Sequence, residues 1–326
     1  MAQNETVNLT KYAWLSVAVS MATIALKAGA YYVTGSVSLL SDALESIVNL
    51  VAAIVALIAL MLAARPANAR YTFGRSKAEY FSAAIEGSMI FVAAGLIIFT
   101  AAQRLFSPRP LENVGIGLLV SVLASVLNGI VSVILVRAGK RYSSPTLVAD
   151  GKHLWTDVIT SIGVVIGVAL VWLTGWERLD PIVAILVGFN IIYVGYTLVT
   201  TSLAGLMDVT LPQEENQAII TVLKDFATDP TISFHGLQTR ESGQQRMIKL
   251  DAQVPGTWTV REGHDFAHKV VCAIEEKIPN ASVFVHIEPI EDPESYNDIP
   301  QGFVPLGFDG LVPIDLETGK PIRTQP

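Results

Sequence analysis

The sequence predicts a membrane α-helical fold: a six-transmembrane-helix bundle followed by a small α+β domain with the element order αββαβ. Three observations carry this. Hydrophobic residues make up 51% of the 326 and charged residues only 16%, with a mean hydropathy of +0.48, where soluble domains carry about 25% charge. The apolar residues fall in six long runs, each near the ~20 residues that a bilayer span requires. After Met207 the runs shorten, charges become frequent and strand-like segments begin.

The predicted spans are 12–33, 36–64, 79–103, 113–138, 146–174 and 180–206, joined by short connections that carry Gly35, Pro66, Pro108, Pro110, Pro145 and Gly175. Residues 1–11 form a short N-terminal segment, polar through Asn8 and without the basic patch and cleavage site of a removable signal. Basic residues mark the connections. Arg65, Arg70, Arg75 and Lys77 lie between spans 2 and 3, and Arg137, Lys140 and Arg141 between spans 4 and 5. The connections on the opposite side carry fewer, which by the positive-inside rule places both termini in the cytosol. The chain is therefore expected to be an integral membrane protein, of the inner or plasma membrane in a bacterium.

Residues 207–292 read as the second domain. An amphipathic helix is expected over 212–228, strands over 233–238 and 246–254 around a turn at Glu241, Ser242 and Gly243, a helix over 260–278, and a strand over 281–287. Helices on one face of a small sheet suit this order. Residues 293–326, rich in proline and glycine, are expected to be mostly disordered, with Phe303, Leu306 and Phe308 as candidates for local packing.

Charge and cysteine usage exclude several functions. Residues 1–206 carry 13 basic and 10 acidic side chains, a net of +3, whereas residues 207–326 carry 9 and 19, a net of −10. An acidic cytosolic half repels nucleic acid and anionic surfaces, and it serves either to attract cations or only to keep the domain soluble. Cys272 is the only cysteine, so disulfides and thiolate metal clusters within one chain are excluded. No His-Glu-x-x-His motif, Ser–His pairing or phosphate-binding glycine loop points to an enzyme.

Ionisable groups inside spans are costly and usually face a partner or a pathway. Span 2 carries Asp42, Glu45 and Asn49; span 5 carries Asp150, Lys152, His153 and Asp157. Glu45 and Asn49 are four residues apart, as are His153 and Asp157, so each pair shares a helix face. Spans 2 and 5 run in opposite directions and both pairs fall at similar mid-membrane depth. Together they offer four donors, the number a tetrahedral metal site takes. Asp42 and Asp150, three residues before Glu45 and His153, could line an entry path or cap polar contacts. Asn128 and Asn190 read as interhelical hydrogen bonds, and Lys27 as a snorkelling side chain or the partner of a carboxylate.

The segments GSVSLLSDALESIVN and LVADGKHLWTD resemble the second- and fifth-helix signatures of the cation diffusion facilitator family. The likeness runs from Lys11 to about Glu291 and includes PANARYTFGRSKAE, LDPIVAI, FHGLQTRESG and VFVHIEP. The resemblance implies six helices, a cytosolic ferredoxin-like domain, homodimerisation and proton-coupled export of divalent metal. It also implies cytosolic metal ligands at His235, Asp251, His264, His286 and Glu288. His268, four residues after His264, could add another. A structural role is implied for Glu86, and charge contacts near the cytosolic surface for Arg75, Lys77 and Glu79.

The sequence departs from the family pattern in two places. Helix 2 usually supplies His or Asp followed by Asp, and here those positions hold Glu45 and Asn49. With His153 neutral, the set Glu45, Asn49, His153 and Asp157 carries −2 and balances a doubly charged ion without excess. In the 2–3 connection, Asn68, Tyr71 and Arg75 replace the family's Asp and His residues, so no metal site is expected there. The expected function is proton-coupled antiport of a divalent transition metal, Zn²⁺ first and Mn²⁺, Fe²⁺, Co²⁺ or Cd²⁺ as alternatives. The direction of export rests on the resemblance alone. A non-transporting or weakly transporting metal-sensing or assembly protein on the same fold is the rival reading. No cofactor is expected; the metal is substrate and candidate regulatory ligand. The expected partners are metal ions, protons, the lipid bilayer and a second copy of the chain.

Overall fold

The structure is a computed structural model that describes residues 7–34, 37–106, 114–176 and 178–296; among these, the side chains of 33–34, 37–45, 114–118, 164, 168, 172 and 180 lie outside the description. It resolves into two compact units, divided between Leu206 and Met207.

The first unit is six helices: α1 (Thr10–Thr34), α2 (Val37–Ala63), α3 (Ala78–Phe106), α4 (Val114–Arg141), α5 (Pro145–Thr174) and α6 (Leu179–Leu206). All six are long and apolar enough to cross a membrane, with mean hydropathies of 1.4 to 2.7 over their spans. Local chemistry sets the best-defined boundaries. Ser144 caps α5, with its hydroxyl accepting from Leu147 N–H, and Pro145 opens the helix where its missing N–H costs nothing. Gly175 closes it in the left-handed conformation (φ 69°), donating its N–H to Val171 O at 2.8 Å.

Packing divides the helices into a group and a pair. Residues of α1, α2, α4 and α5, among them Val17, Ala53, Leu57, Leu135 and Leu154, share one apolar core, while α3 and α6 pack along Ala83, Ile90, Ala94, Ile191 and Leu198. Because lipid tails are as apolar as leucine, close backbone approach drives such contacts. At Gly195 a Cβ would stand 2.9 Å from Phe91 N and 3.0 Å from Gly87 O, so α6 lies directly on the α3 backbone.

The second unit orders α7 (Gln213–Phe226), β1 (Ser233–Ser242), β2 (Gln245–Val254), α8 (Val260–Lys277) and β3 (Ala281–Pro289). The sheet order is β1-β2-β3; β1 and β2 form an antiparallel hairpin, and α8 carries the chain across to β3, parallel to β2. Both helices cover one face, where Ile219, Leu223, Phe234, Leu250, Val270 and Ile274 form the core. A capping box between Thr259 and Glu262 opens α8, and its hydrogen bonds from Thr259 hold the Glu262 carboxyl below its ordinary range.

The predicted fold class holds, with one local correction. Strand β1 runs four residues past its expected end, through the segment read as a turn, because cross-strand pairing continues from Gln238↔Lys249 to Ser242↔Gln245. The stretch expected to be mostly disordered begins with a 3-10 turn, Pro293–Tyr296, anchored by Ser295 Oγ donating to Pro289 O and Tyr296 OH donating to Ile290 O; 297–326 lie outside the described residues. Phe303, Leu306 and Phe308 lie outside the described residues.

Candidate metal sites

The membrane site is built on α2, α4 and α5. His153 and Asp157 are one turn apart on α5, and Asn49 on α2 ties them together. Asn49 Oδ1 lies 3.0 Å from His153 Nε2, and its Nδ2 donates to Asp157 Oδ2. Since the amide oxygen only accepts, Nε2 of the imidazole carries the hydrogen. Asn128 on α4 donates from Nδ2 to the same Asp157 oxygen at 3.4 Å. Asn49, Asn128 and His153 are buried and Asp157 is half-buried. Lys27 on α1 lies within electrostatic reach of Asp157, the carboxylate partner that its position suggested. Glu45 and Asp42 lie on α2, with side chains outside the described residues.

Asp150, one turn before His153, belongs to a neighbouring polar group. Its Oδ1 accepts from Ser16 Oγ at 3.0 Å, its other oxygen is buried without a hydrogen-bond partner among the described residues, and Glu86 on α3 lies within electrostatic reach. Ser82 Oγ donates to Glu86 at 2.8 Å. Asn128 makes the interhelical hydrogen bond expected of it, to Asp157, whereas Asn190 is exposed and its side chain makes none among the described residues. Glu79, Lys77 and Arg75, expected to make charge contacts, also make other contacts. Glu79 is buried and accepts from the Ser144 hydroxyl, Lys77 Nζ donates to Leu206 O at 3.1 Å, and the Arg75 guanidinium sits 4.3 Å from the Tyr71 ring centroid. In the same connection Asn68 accepts from the Arg70 and Tyr71 N–H groups, so its side chain closes the turn.

The second site lies on the face of the sheet opposite α7 and α8. Pairing aligns His235, Asp251 and His286 across the three strands. Glu288, two residues after His286, projects on the same face because side chains alternate along a strand. His235 Nε2 meets Glu288 Oε2 at 2.8 Å; His286 Nδ1 lies 3.1 Å from Glu288 Oε1 and 3.7 Å from Asp251 Oδ1. The ligand atoms of Asp251, His286 and Glu288 all lie within 4.8 Å of one another. His286 is 54% exposed, whereas Asp251, Glu288 and His235 are 4 to 7% exposed, so one ring opens the cluster to solvent. Two carboxylates and two imidazoles suit a divalent, borderline metal ion.

A bulge makes this convergence fit. The β1–β2 register shifts between His235 and Gln238, and Gly236 sits in the left-handed region (φ 61°). A Cβ there would stand 2.2 Å from Asp251 Oδ2, so only glycine lets the carboxylate occupy its place. His264 on α8 borders, with Glu288, a cavity of about 440 Å³ walled by Trp258 and Ile287. His268 is not brought to the cluster. It is exposed, its ring stacks on His264 at 6.3 Å, and its Nε2 lies 3.7 Å from Cys272 Sγ.

Comparison with known proteins adds the family. Residues 13–207 match the cation efflux transmembrane domain, and residues 211–290 the cytoplasmic domain of cation efflux proteins. The chain belongs to the cation efflux family. It is 50% identical over 90% of its length to an uncharacterized transporter of Synechocystis, of which it covers 94%. It is 32% identical over 83% of its length to the cation-efflux pump FieF of Serratia proteamaculans, of which it covers 90%. Among solved structures, the metal-bound C-terminal domain of the CzcD transporter from Thermotoga maritima matches 26% of this chain and 99% of its own. That likeness, at 22% identity and a TM-score of 0.23, is too loose to place any residue. The chain is thus a cation efflux transporter of the membrane.

One contributor escaped sequence reasoning. Gly236 had a signal, a glycine inside a strand, which often marks a bulge or a close approach. For Asn128, the packing of α4 on α5 supplies what the sequence could not, the identity of its acceptor, Asp157.

Proposed function

We propose that the protein exports a divalent transition-metal ion, Zn²⁺ in the first instance, from the cytosol in exchange for protons. The reading rests on one observation above all: Asn49 of α2 meets His153 and Asp157 of α5. Glu45, one turn before Asn49, completes the proposed ligand set. The Asn49 amide ties the donors to one another. An entering ion replaces those hydrogen bonds, and Asn49 Oδ1 becomes available as a ligand once it releases His153.

Proton coupling follows from the same groups. An imidazole binds a metal only when the ligating nitrogen is unprotonated, and a carboxylate ligates best when ionised. Protons arriving at His153 and Asp157 therefore displace the ion, and the ion displaces protons. The charge of Lys27 partly offsets Asp157 while the site is empty, which lowers the cost of a vacant carboxylate in the bilayer.

His235, Asp251, His286 and Glu288, with His264 beside them, form the proposed cytosolic regulatory site, and the cytoplasmic domain pairs two copies of the chain. The basic connections put both termini in the cytosol. The deciding experiment is metal uptake by proteoliposomes that hold the full-length protein, with Zn²⁺, Mn²⁺, Fe²⁺, Co²⁺ and Cd²⁺ offered separately under an imposed pH gradient. Zn²⁺ flux that follows the gradient supports the proposal. Metal binding without flux of any of the five refutes it in favour of a sensing role.

A further inference from the structure

A groove of about 750 Å³ runs between α4 and α5, on the surface of the helical unit. Its α4 wall extends from Val122 to Arg137, which at 1.5 Å per residue is about 22 Å. Small residues, Ser125, Gly129 and Ser161, line it between exposed Val126, Ile130 and Ile162. The stripe Val122, Val126, Ile130, Val133, Arg137, Lys140 advances by three or four residues at each step, so one face of α4 is apolar along the groove and cationic at its end.

Both cations are exposed, and neither makes a hydrogen bond or ion pair among the described residues. Helix α4 contains no acidic residue to neutralise them, and Lys140 lies within electrostatic reach of a further cation, Lys152. The geometry points to an anionic phospholipid as the occupant: one acyl chain lies along the groove, and its phosphate sits on Arg137 and Lys140.

Size and charge select this occupant. A helix is about 10 Å across, so a neighbouring helix would rest on the rim, and it brings no anionic group to the cationic end. A zwitterionic lipid fills the groove equally well but brings a positive group beside two unpaired cations. An anionic headgroup at a basic pocket between membrane helices resolves both mismatches. The lipid braces α4 against α5, the helix that carries His153 and Asp157, with Val158 in the groove wall next to Asp157.

The test is native mass spectrometry of the full-length detergent-solubilised protein, titrated with dioleoyl-phosphatidylglycerol or dioleoyl-phosphatidylcholine. It needs no metal and no flux, so it stands apart from the transport reading. The wild type is expected to bind the anionic lipid about thirty-fold more tightly, at about five-fold per basic residue. Arg137→Gln with Lys140→Gln should bring the two lipids within about two-fold of each other. Gly129→Leu should weaken both lipids while keeping their ratio; a Cβ at 129 meets Val158 Cγ2 at an ordinary 3.6 Å. Ser161→Leu, from the opposite wall, should do the same. Equal binding of the two lipids by the wild type, or a preference that survives the double substitution, overturns the inference. So does a Gly129→Leu protein that binds lipid normally and changes its oligomeric state, since a second copy of the chain would then fill the groove.

Discussion

Asn49→Asp is the sharpest probe of the membrane site. The wild-type amide accepts from one neighbour and donates to the other, His153 and Asp157. Aspartate has no N–H, so the bond to Asp157 is lost and two carboxylates face each other in contact. At about 4 Å and an effective dielectric constant near 20, two unit charges interact by about 4 kcal/mol. That is close to three powers of ten in an equilibrium constant, enough to hold a shared proton on the pair at neutral pH. A bound doubly charged ion reverses the sign of the interaction and expels that proton. The variant should therefore release one more proton per ion than the wild type, and its affinity should climb about tenfold more per pH unit between about pH 6 and 7.5. Calorimetric Zn²⁺ titrations in buffers of different ionisation enthalpy count the protons directly. The cytosolic cluster is silenced in both proteins by Asp251→Ala and His286→Ala. An unchanged proton count and pH slope would show that Asn49 is not at the ion, and the proposed transport site would fail with it.

Asp157→Asn keeps an acceptor for the Asn49 and Asn128 amides while removing the charge. Breaking a buried charge interaction in this way costs about 3–5 kcal/mol, so Zn²⁺ affinity should fall by two to three orders of magnitude and proteoliposome flux should vanish; a loss under about five-fold would refute its role. Asp251→Ala with His286→Ala should abolish the metal-dependent rise in thermal stability of the cytoplasmic domain within the intact protein. For the wild type that rise should correspond to about 2.7 kcal/mol at a metal concentration of 100 Kd. Gly236→Ala places a methyl group on Asp251 and a side chain at positive φ, which should destabilise that domain by about 1–3 kcal/mol and weaken its metal binding; differential scanning calorimetry with and without Zn²⁺ reads both effects. Ser144→Ala removes the α5 cap and the hydroxyl that donates to Glu79. A loss of about 2–3 kcal/mol is expected, measured as a lower unfolding temperature in detergent.

What could be read from sequence divides according to the range of the interactions. The six helices were legible because bilayer spans need long apolar runs, and the α5 boundaries because Ser144, Pro145 and Gly175 act on the residues beside them. The pairing of His153 with Asp157 was legible for the same reason, since spacing by four is a property of one helix. The true end of β1 was not: Thr239, Arg240, Glu241 and Ser242 look like loop and turn residues until β2 pairs with them, and Arg240 finds Asp208 and Met247 as partners only in the folded unit. Spacing by four also joined His268 to His264. Which of the two borders the cavity beside Glu288 depends on how α8 lies on the sheet.

Asn49 shows why a departure from a family pattern needs geometry to interpret it. Read as a sequence change, an amide in place of a carboxylate is the loss of one charge. In the structure it is the group that satisfies His153 and Asp157 at once, which a carboxylate can do only after taking up a proton. With an ion present, a carboxylate at that position would be the stronger ligand. With the site empty, the amide is the better neighbour, because it leaves no second charge stranded against Asp157 in the bilayer. A transporter must pass through both conditions in every cycle. In the proposed transport cycle, the amide therefore lowers the cost of the unloaded state and the affinity of the loaded one together.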